Sequence, residues 1–121
     1  MVVDDEETVG ELICEMLEDL RCVPTLATDA RAALGVLEQD GFDMIVSDFK
    51  MPGMNGAEFY DALLNRHPQY ADRVGFVTGD ALSEDIFRFL SKVGRPHIEK
   101  PILRDDLSAL LERLTCKGVN G

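Results

Sequence analysis

Several residue types that define common protein classes are scarce in this sequence. Its 121 residues include no tryptophan and only three cysteines, Cys14, Cys22 and Cys116, which are widely spaced and form no C-x-x-C pair. Isolated cysteines in odd number are typical of reduced thiols and argue against a disulfide framework or a zinc site. No apolar run approaches the roughly 18 residues that a membrane span needs, and no basic stretch precedes one as in a secretory signal. We therefore expect a cytoplasmic protein without a targeting segment or membrane anchor.

Basic residues are also few, because 12 Lys and Arg stand against 23 Asp and Glu and leave a formal net charge of −11. A field of this sign repels phosphate backbones and anionic lipid head groups, which excludes nucleic acid or membrane binding as a main function. A chain of this length buries roughly two-thirds of its unfolded surface, enough for one core. The sequence predicts a single domain over residues 1–121, with a frayed tail at 117–121.

Short apolar runs alternate along the chain with apolar residues at three-and-four spacing, a pattern typical of βα units on a parallel sheet. The predicted strands are β1 at 2–3, β2 at 22–27, β3 at 42–47, β4 at 73–78 and β5 at 96–99. The predicted helices are α1 at 9–20, α2 from 30 to near 41, α3 at 57–66, α4 opened by Ser83, and α5 with a stripe of Leu103, Leu107, Leu110, Leu111 and Leu114. Pro24 cannot donate a ladder hydrogen bond, so β2 should lie at a sheet edge.

Polar residues collect where the predicted strands end. Asp4 and Asp5 follow β1, Asp48 follows β3, Thr78 ends β4 and Lys100 follows β5. Because ligands of open parallel sheets bind beyond the carboxyl ends of the strands, these residues should meet in one crevice. Each residue alone is explained more simply as a helix cap, turn or surface residue, and only their joint placement favours a site.

Three carboxylates in one crevice require a cation, since two unit charges about 4 Å apart repel by roughly 4 kcal/mol at an effective dielectric of about 20. All-oxygen ligation favours Mg²⁺, which completes its shell with water and phosphate oxygens. In that pocket Asp48 is suited to attack phosphorus, Lys100 to neutralise phosphoryl oxygens and Thr78 to donate a hydrogen bond. The residues therefore predict phosphoryl transfer to an aspartate.

The ordered motifs resemble the receiver domains of two-component response regulators. They are V-V-D-D-E at 2–6, S-D-F-K-M-P-G-M-N-G at 47–56, V-T-G-D at 77–80 and E-K-P at 99–101. The resemblance implies a doubly wound α/β fold, the flavodoxin-like (βα)5 sandwich, with a parallel sheet in the order 2-1-3-4-5 and helices on both faces. It also implies a phosphoryl group that is taken from the phosphohistidine of a histidine kinase or histidine phosphotransfer protein and slowly lost to water.

The same resemblance assigns roles to individual residues. Asp48 resembles the phosphoacceptor, and Asp5 and Asp48 would ligate Mg²⁺ together with the backbone carbonyl of Lys50. Asp4 would act through a metal-bound water. Thr78 resembles the switch hydroxyl, and Lys100 resembles the lysine that pairs with the phosphoryl group.

Other positions depart from the family pattern or surround the site. His97 stands where the family commonly has a Tyr or Phe that changes rotamer with the switch hydroxyl, which predicts a weakly pH-dependent readout. The side chain of Lys50 and that of Asp80 are expected to tune the lifetime of the phosphorylated form. Gly53 and Gly56 are expected to allow positive φ so that the loop curls over Asp48. The motif ending in Pro101 implies a cis peptide bond.

Two surfaces have alternative interpretations. The α1 residues Glu7, Glu11, Glu15 and Glu18 form either a solvated face or a docking surface for a basic phosphodonor. The α4 residues Ile86, Phe87, Phe89 and Leu90 cannot all be buried, so at least one is exposed. The α4-β5-α5 face is the usual output surface of the family, and it is predicted to contact a partner or a second copy.

Residues 94–101 resemble receivers at the C-terminus of hybrid sensor histidine kinases, and the short β1 suggests a segment of a longer chain.

Three other functions remain as alternatives. A Mg²⁺-dependent phosphohydrolase with an aspartyl-phosphate intermediate would need a D-x-D motif after the first strand, which Asp4-Asp5-Glu6 does not supply, and a cap domain. A receiver-like scaffold that is never phosphorylated is disfavoured by the intact set of site residues. A flavin-binding relative is disfavoured because the acidic loop after β1 would repel a phosphate.

Overall fold

The computed structural model describes residues 1–79 and 83–120, with side chains described as far as Leu114. Within these residues, five parallel strands form one sheet in the order β2-β1-β3-β4-β5. The strands are β1 Val2–Val3, β2 Leu26–Ala27, β3 Ile45–Asp48, β4 Val74–Thr78 and β5 His97–Glu99. The helices are α1 Glu7–Asp19, α2 Ala30–Gln39, α3 Gly56–Arg66, α4 Glu84–Val93 and α5 Arg104–Asn120, with a 3-10 turn at Pro68–Tyr70. The predicted fold and strand order are confirmed, and β2 lies at the edge.

Two apolar clusters lie on opposite faces of the sheet. Val3 and Ile45 face the cluster that contains buried residues of α2, α3 and α4, whereas Val2 and Val46 face the cluster formed with α1 and α5. Neighbouring residues of one strand thus point to opposite faces, as the pleat requires. Because helices cover both faces of the sheet, the strand sequences are continuous apolar runs and do not alternate between apolar and polar residues.

The strand register brings polar residues to one edge. Asp48 pairs with Val77 across β3 and β4, and Thr78 pairs with Glu99 across β4 and β5. The sheet order reverses between β1 and β3, so the edge where these strands end is the switch point of the fold.

Several element boundaries differ from the predicted ones, most of all the starts of two strands. β2 begins at Leu26 rather than at 22, since its first ladder pair joins Leu26 to Val2 and Pro24 has no N–H to donate. β3 begins at Ile45 rather than at 42 because the N–H of Phe42 donates to the Tyr70 hydroxyl at 3.0 Å. The strand continues through Asp48, whose successor Phe49 donates its N–H to the Val77 carbonyl at 3.1 Å. Asp48 is therefore the last strand residue and not the first loop residue.

The predicted leucine stripe of α5 is wrong at its first position. Leu103 precedes the helix and is 58% exposed, whereas Leu107, Leu110 and Leu114 are buried. The three-and-four spacing extends to Leu103, but the helix begins one residue later. The α5 backbone is helical to Asn120, past residue 117, where we expect fraying to begin.

Helix surfaces agree with the exposure expected for them. Phe87 of α4 is 62% exposed while Ile86 and Leu90 are buried, which confirms that this helix leaves an apolar residue in solvent. The glutamates of α1 are all exposed, namely Glu7, Glu11, Glu15 and Glu18. Among the described helices, none combines the length and the apolar composition needed to cross a membrane.

Candidate phosphoacceptor site

Three carboxylates meet at the carboxyl edge of the sheet. One carboxylate oxygen from each of Asp4, Asp5 and Asp48 lies within 4.8 Å of the other two. Asp4 and Asp48 are buried, whereas Asp5 is partly exposed. The structure therefore brings together the acidic residues that the sequence places after two separate strands.

Contacts with the backbone hold Asp4 in place. The Asp4 N–H donates to the Ala27 carbonyl at 3.1 Å, which extends the β1–β2 ladder by one residue. The Asp4 side chain then turns toward α1 and accepts the Glu6 N–H on Oδ1 at 2.9 Å. Its second oxygen, Oδ2, and Asp5 Oδ1 are buried and have no hydrogen-bond partner among the residues that the structure describes. Buried carboxylate oxygens without partners are suited to bind a cation.

The electrostatics of the cluster also favour a cation. Burial raises the pKa of Asp4 to about 6, and the charges of Asp48 and Asp5 act in the same direction. Burial likewise raises the pKa of Asp48, although Lys100 opposes this effect. Both carboxyl groups thus hold their protons more tightly than in water, and a bound cation would reverse this preference.

Lys100 contributes a positively charged side chain to the site. Its Nζ lies 3.3 Å from Asp48 Oδ2, while Asp48 Oδ1 accepts the Phe49 N–H at 2.8 Å. The backbone N–H of Lys100 donates to the Thr78 carbonyl at 2.9 Å. This hydrogen bond to the last residue of β4 fixes the position of the Lys100 backbone, from which the side chain extends. The peptide bond between Lys100 and Pro101 is cis, as the resemblance implies.

Sequence comparison identifies the family to which this site belongs. The sequence matches the response regulator receiver domain over residues 1–112. The chain belongs to the response regulator receiver family.

Two curated relatives match this chain over very different shares of their own length. The chain is 29% identical over 119 residues to the chemotaxis protein CheY of Pseudomonas aeruginosa, covering 94% of this chain and 96% of that protein. It is 26% identical over 116 residues to the transcription factor SKN7 of Saccharomyces cerevisiae, covering 93% of this chain but only 18% of that protein. The first relative is thus matched over nearly its whole length, and the second over less than a fifth.

A solved structure gives the same relationship. The chain aligns with the chemotaxis protein CheY4 of Vibrio cholerae with a TM-score of 0.82 and 29% identity, covering 93% of this chain and 94% of that one. Membership in this family places the chain in two-component signalling and favours the receiver over the phosphohydrolase and flavin-binding alternatives.

The remaining predicted site residues lie around the receiver's carboxylates. Thr78 ends β4 beside the Asp48–Val77 pair and is 1% exposed. His97 begins β5, pairs with Phe76 in the ladder and is exposed. The Lys50 side chain is exposed two residues after Asp48. Asp80, predicted as a tuning residue, lies outside the described residues.

The loop after Asp48 is held by contacts that the sequence analysis overlooked. The Asn55 side chain accepts the Glu58 N–H at 2.9 Å, and Glu58 accepts the Asn55 N–H at 3.1 Å, which forms a capping box at the start of α3. The N-x-x-E spacing at 55–58 is the signal that would have found it. Together the two bonds fix where the acceptor loop enters the helix.

The two loop glycines act differently from each other. Gly53 has a φ of +78°, as expected for a turn glycine. Gly56 is instead required by a close approach, because a Cβ there would lie 2.9 Å from Phe49 Cα and 3.2 Å from the Asp48 carbonyl oxygen. The expectation of positive φ at Gly56 is wrong, since only Gly53 and Gly94 have positive φ among the described glycines.

Proposed function

We propose that this receiver accepts a phosphoryl group on Asp48 from the phosphohistidine of a histidine kinase or histidine phosphotransfer protein, in a Mg²⁺-dependent reaction. The observation that carries the proposal is the cluster of Asp4, Asp5 and Asp48 oxygens within 4.8 Å, with Lys100 Nζ 3.3 Å from the acceptor carboxylate. The cluster combines the acceptor, a counter-charge and a cation-binding set of oxygens at one edge of the sheet.

The donor set fits Mg²⁺. Asp5 and Asp48 would ligate it directly together with the Lys50 carbonyl, and Asp4 through water; the unpartnered buried oxygens of Asp4 and Asp5 support this arrangement. When bound, the ion relieves the repulsion among the carboxylates and neutralises charge on the phosphoryl oxygens.

Asp48 is the proposed nucleophile of the phosphoryl transfer. One carboxylate oxygen forms a bond to phosphorus while the phosphorus–nitrogen bond of the donor breaks, and the electron pair stays on the imidazole nitrogen, which then takes up a proton. Lys100 is within reach to balance the charge of the phosphoryl group, and Thr78 supplies a hydroxyl at the end of the neighbouring strand. Water later attacks phosphorus, the bond from phosphorus to the carboxylate oxygen breaks, and inorganic phosphate leaves so that the carboxylate is restored.

The output of the phosphorylated receiver is a shift between two conformations. Thr78 and His97 are the proposed switch residues, one buried at the end of β4 and the other exposed at the start of β5. The proposed contact surface for a partner or second copy is the α4-β5-α5 face, where Phe87 of α4 is an exposed apolar residue. Phosphorylation would favour the conformation that this surface recognises.

Intact-mass measurement after incubation with acetyl phosphate tests the proposal. We expect a gain of one phosphoryl group that requires Mg²⁺, that is lost in Asp48→Asn and that persists in Asp61→Asn, a matched change on the exposed side of α3. The same preparations give the decay rate of the adduct, which Lys50→Asn should alter because this cation follows Asp48 by two positions and is exposed to solvent. No adduct from acetyl phosphate or from a phosphorylated histidine phosphotransfer protein, in a chain shown to be folded, would reject the proposal in favour of a scaffold.

A further inference from the structure

Ser47 is a buried polar residue in β3, directly before the proposed acceptor. It is 0% exposed, and its hydroxyl donates to the carbonyl oxygen of Asp48 at 2.9 Å. A buried hydroxyl costs free energy unless it is hydrogen-bonded, so this contact makes a polar residue tolerable among the apolar residues of the strand. The contact also places a donor on the backbone of the acceptor itself.

The Asp48 carbonyl lies beyond the end of the β1 ladder. The Val46 N–H donates to the Met1 carbonyl, and the last β1–β3 pair joins Val3 to Ser47. Residues two apart in a parallel strand point their backbone groups to the same neighbour, so the Asp48 carbonyl faces the β1 side, one position past this last pair. The Ser47 hydroxyl donates to the carbonyl at that point.

The start of α3 closes the space around the same carbonyl. A Cβ at Gly56 would lie 3.2 Å from the Asp48 carbonyl oxygen, and the Gly56 N–H donates to the Phe49 carbonyl at 2.7 Å. Removal of the Ser47 hydroxyl would open a gap the size of one oxygen atom, which is too small for a water molecule with hydrogen-bond partners of its own. The carbonyl would therefore lose this donor, and the peptide would be free to tilt.

The peptide unit between Asp48 and Phe49 connects this contact to the acceptor carboxylate. A peptide unit is planar, so its carbonyl and its N–H turn together. The Phe49 N–H donates to the Val77 carbonyl at 3.1 Å and to Asp48 Oδ1 at 2.8 Å. A tilt of the plane at the carbonyl end therefore changes the hydrogen bond to Oδ1 at the other end.

The two oxygens of the Asp48 carboxylate have different partners. Oδ1 accepts the Phe49 N–H, whereas Oδ2 lies 3.3 Å from Lys100 Nζ. The terminal torsion of an aspartate is broad, so this side chain needs a contact to fix its plane. The hydrogen bond to Oδ1 provides that contact and keeps Oδ2 directed toward the ammonium group.

We propose that Ser47 is a positioning residue for phosphoryl transfer to Asp48. Its hydroxyl holds the peptide that follows Asp48, the N–H of that peptide holds Oδ1, and Oδ2 stays beside Lys100. The inference rests on the proposed role of Asp48 as the acceptor.

Three substitutions of Ser47 separate the hydroxyl from the space that it fills. Ser47→Ala removes both, Ser47→Cys keeps a side chain of similar size with only a weak donor, and Ser47→Thr keeps the hydroxyl. Ile45→Val is the matched control, because Ile45 is 0% exposed and lies on the same face of β3, two residues before Ser47.

The first measurement is hydrogen exchange at the Phe49 amide in the unphosphorylated chain, relative to the Val46 amide of the same strand. We expect exchange about tenfold or more faster in Ser47→Ala and Ser47→Cys, since local opening governs exchange. Ser47→Thr and Ile45→Val should keep the parental ratio. The ratio to Val46 removes the effect of overall stability, which a merely structural role would change.

The second measurement is the rate of phosphorylation by acetyl phosphate with Mg²⁺, followed by intact mass. Ser47→Ala and Ser47→Cys should react about tenfold more slowly, since a displacement of about 1 Å in a reacting group can cost about a hundredfold. Ser47→Thr and Ile45→Val should react at close to the parental rate.

Four outcomes would overturn the proposal. Parental exchange at Phe49 in Ser47→Ala would show that the hydroxyl does not hold the peptide. A parental rate in Ser47→Cys would assign the effect of Ser47→Ala to lost volume, and equal slowing in Ile45→Val would assign it to general destabilisation. A parent chain that takes up no phosphoryl group would reject the proposed function and with it this role of Ser47, while the exchange data would show separately whether the peptide is held.

Discussion

At the scale of single residues, the site depends on carboxylates that the fold places where water solvates them poorly. The sequence predicts which acids meet, because each follows a recognisable strand and the topology brings strand ends together. It does not predict that Asp4 Oδ2 and Asp5 Oδ1 lack hydrogen-bond partners, since this depends on how the loop before α1 packs. Nor does it predict the raised pKa of Asp4, which arises chiefly from burial, with smaller contributions from the charges of Asp48 and Asp5.

The raised pKa of Asp4 makes the stability of the Mg²⁺-free receiver depend on pH. The pKa is about 6 in the folded chain against an ordinary value of 3.8, so the folded state binds more protons between these values. The free energy of unfolding should therefore fall as pH rises from about 4 to about 6, by at most about 3 kcal/mol for this group. Asp48 contributes in the same direction.

Urea denaturation across that pH range, without divalent cations, measures this effect. Asp4→Asn should flatten the dependence and be more stable than the parent at pH 7, because no charge is then buried at this position. Asp61→Asn on the exposed face of α3 serves as the control. An equal slope in the parent and Asp4→Asn would show that Asp4 does not cause the dependence.

At the scale of secondary-structure elements, the alternation of apolar runs predicts all five strands, and the resemblance to receivers implies their order. The boundaries depend on tertiary contacts. β3 starts later than predicted because Phe42 donates to the Tyr70 hydroxyl, a contact between residues far apart in sequence. α5 starts one residue after Leu103 although the leucine spacing includes it. Local pattern fixes an element's type, whereas packing fixes its ends.

Helix glycines illustrate the same distinction and give a matched pair of variants. A Cβ at Gly56 would meet Phe49 Cα at 2.9 Å, whereas a Cβ at Gly35, within α2, would have no atom within 4 Å. Gly56→Ala should lower the free energy of unfolding by about 1–3 kcal/mol through overpacking, and should slow phosphorylation because Phe49 adjoins Asp48. Gly35→Ala should raise the free energy of unfolding by about 0.5–1 kcal/mol.

Denaturant titration and the rate of adduct formation with acetyl phosphate measure both effects. A Gly56→Ala chain with parental stability and rate would show that the loop moves away from α3 without loss. A destabilising Gly35→Ala would show that α2 has a packing partner at that position.

At the scale of the whole molecule, an excess of acidic residues is compatible with folding because most of them lie on helix surfaces. The formal net charge is −11, and four of the 23 acidic residues are the exposed glutamates of α1. General screening of this charge and the proposed cation binding at the carboxylate cluster are separate ways in which ions would stabilise the receiver.

Thermal unfolding in two salts separates these contributions. NaCl should raise the midpoint slightly through screening, and 10 mM MgCl₂ should raise it further at equal ionic strength. A dissociation constant of about 1 mM corresponds to roughly 1.4 kcal/mol of added stability at that concentration. Asp5→Asn should retain the NaCl response and lose the additional Mg²⁺ response. Equal responses of the parent to the two salts would argue against a specific cation site.

The spread of the site along the chain affects its assembly during protein synthesis. The proposed acceptor is Asp48, whereas the ammonium beside it comes from Lys100, whose backbone is held by the end of β4. A nascent chain that has emerged from the ribosome only through β3 displays the acceptor aspartate without its counter-charge and without two strands of its sheet. If Asp48 is the acceptor, a kinase that meets such a chain would find no competent site, and phosphorylation would be restricted to receivers that have completed their fold.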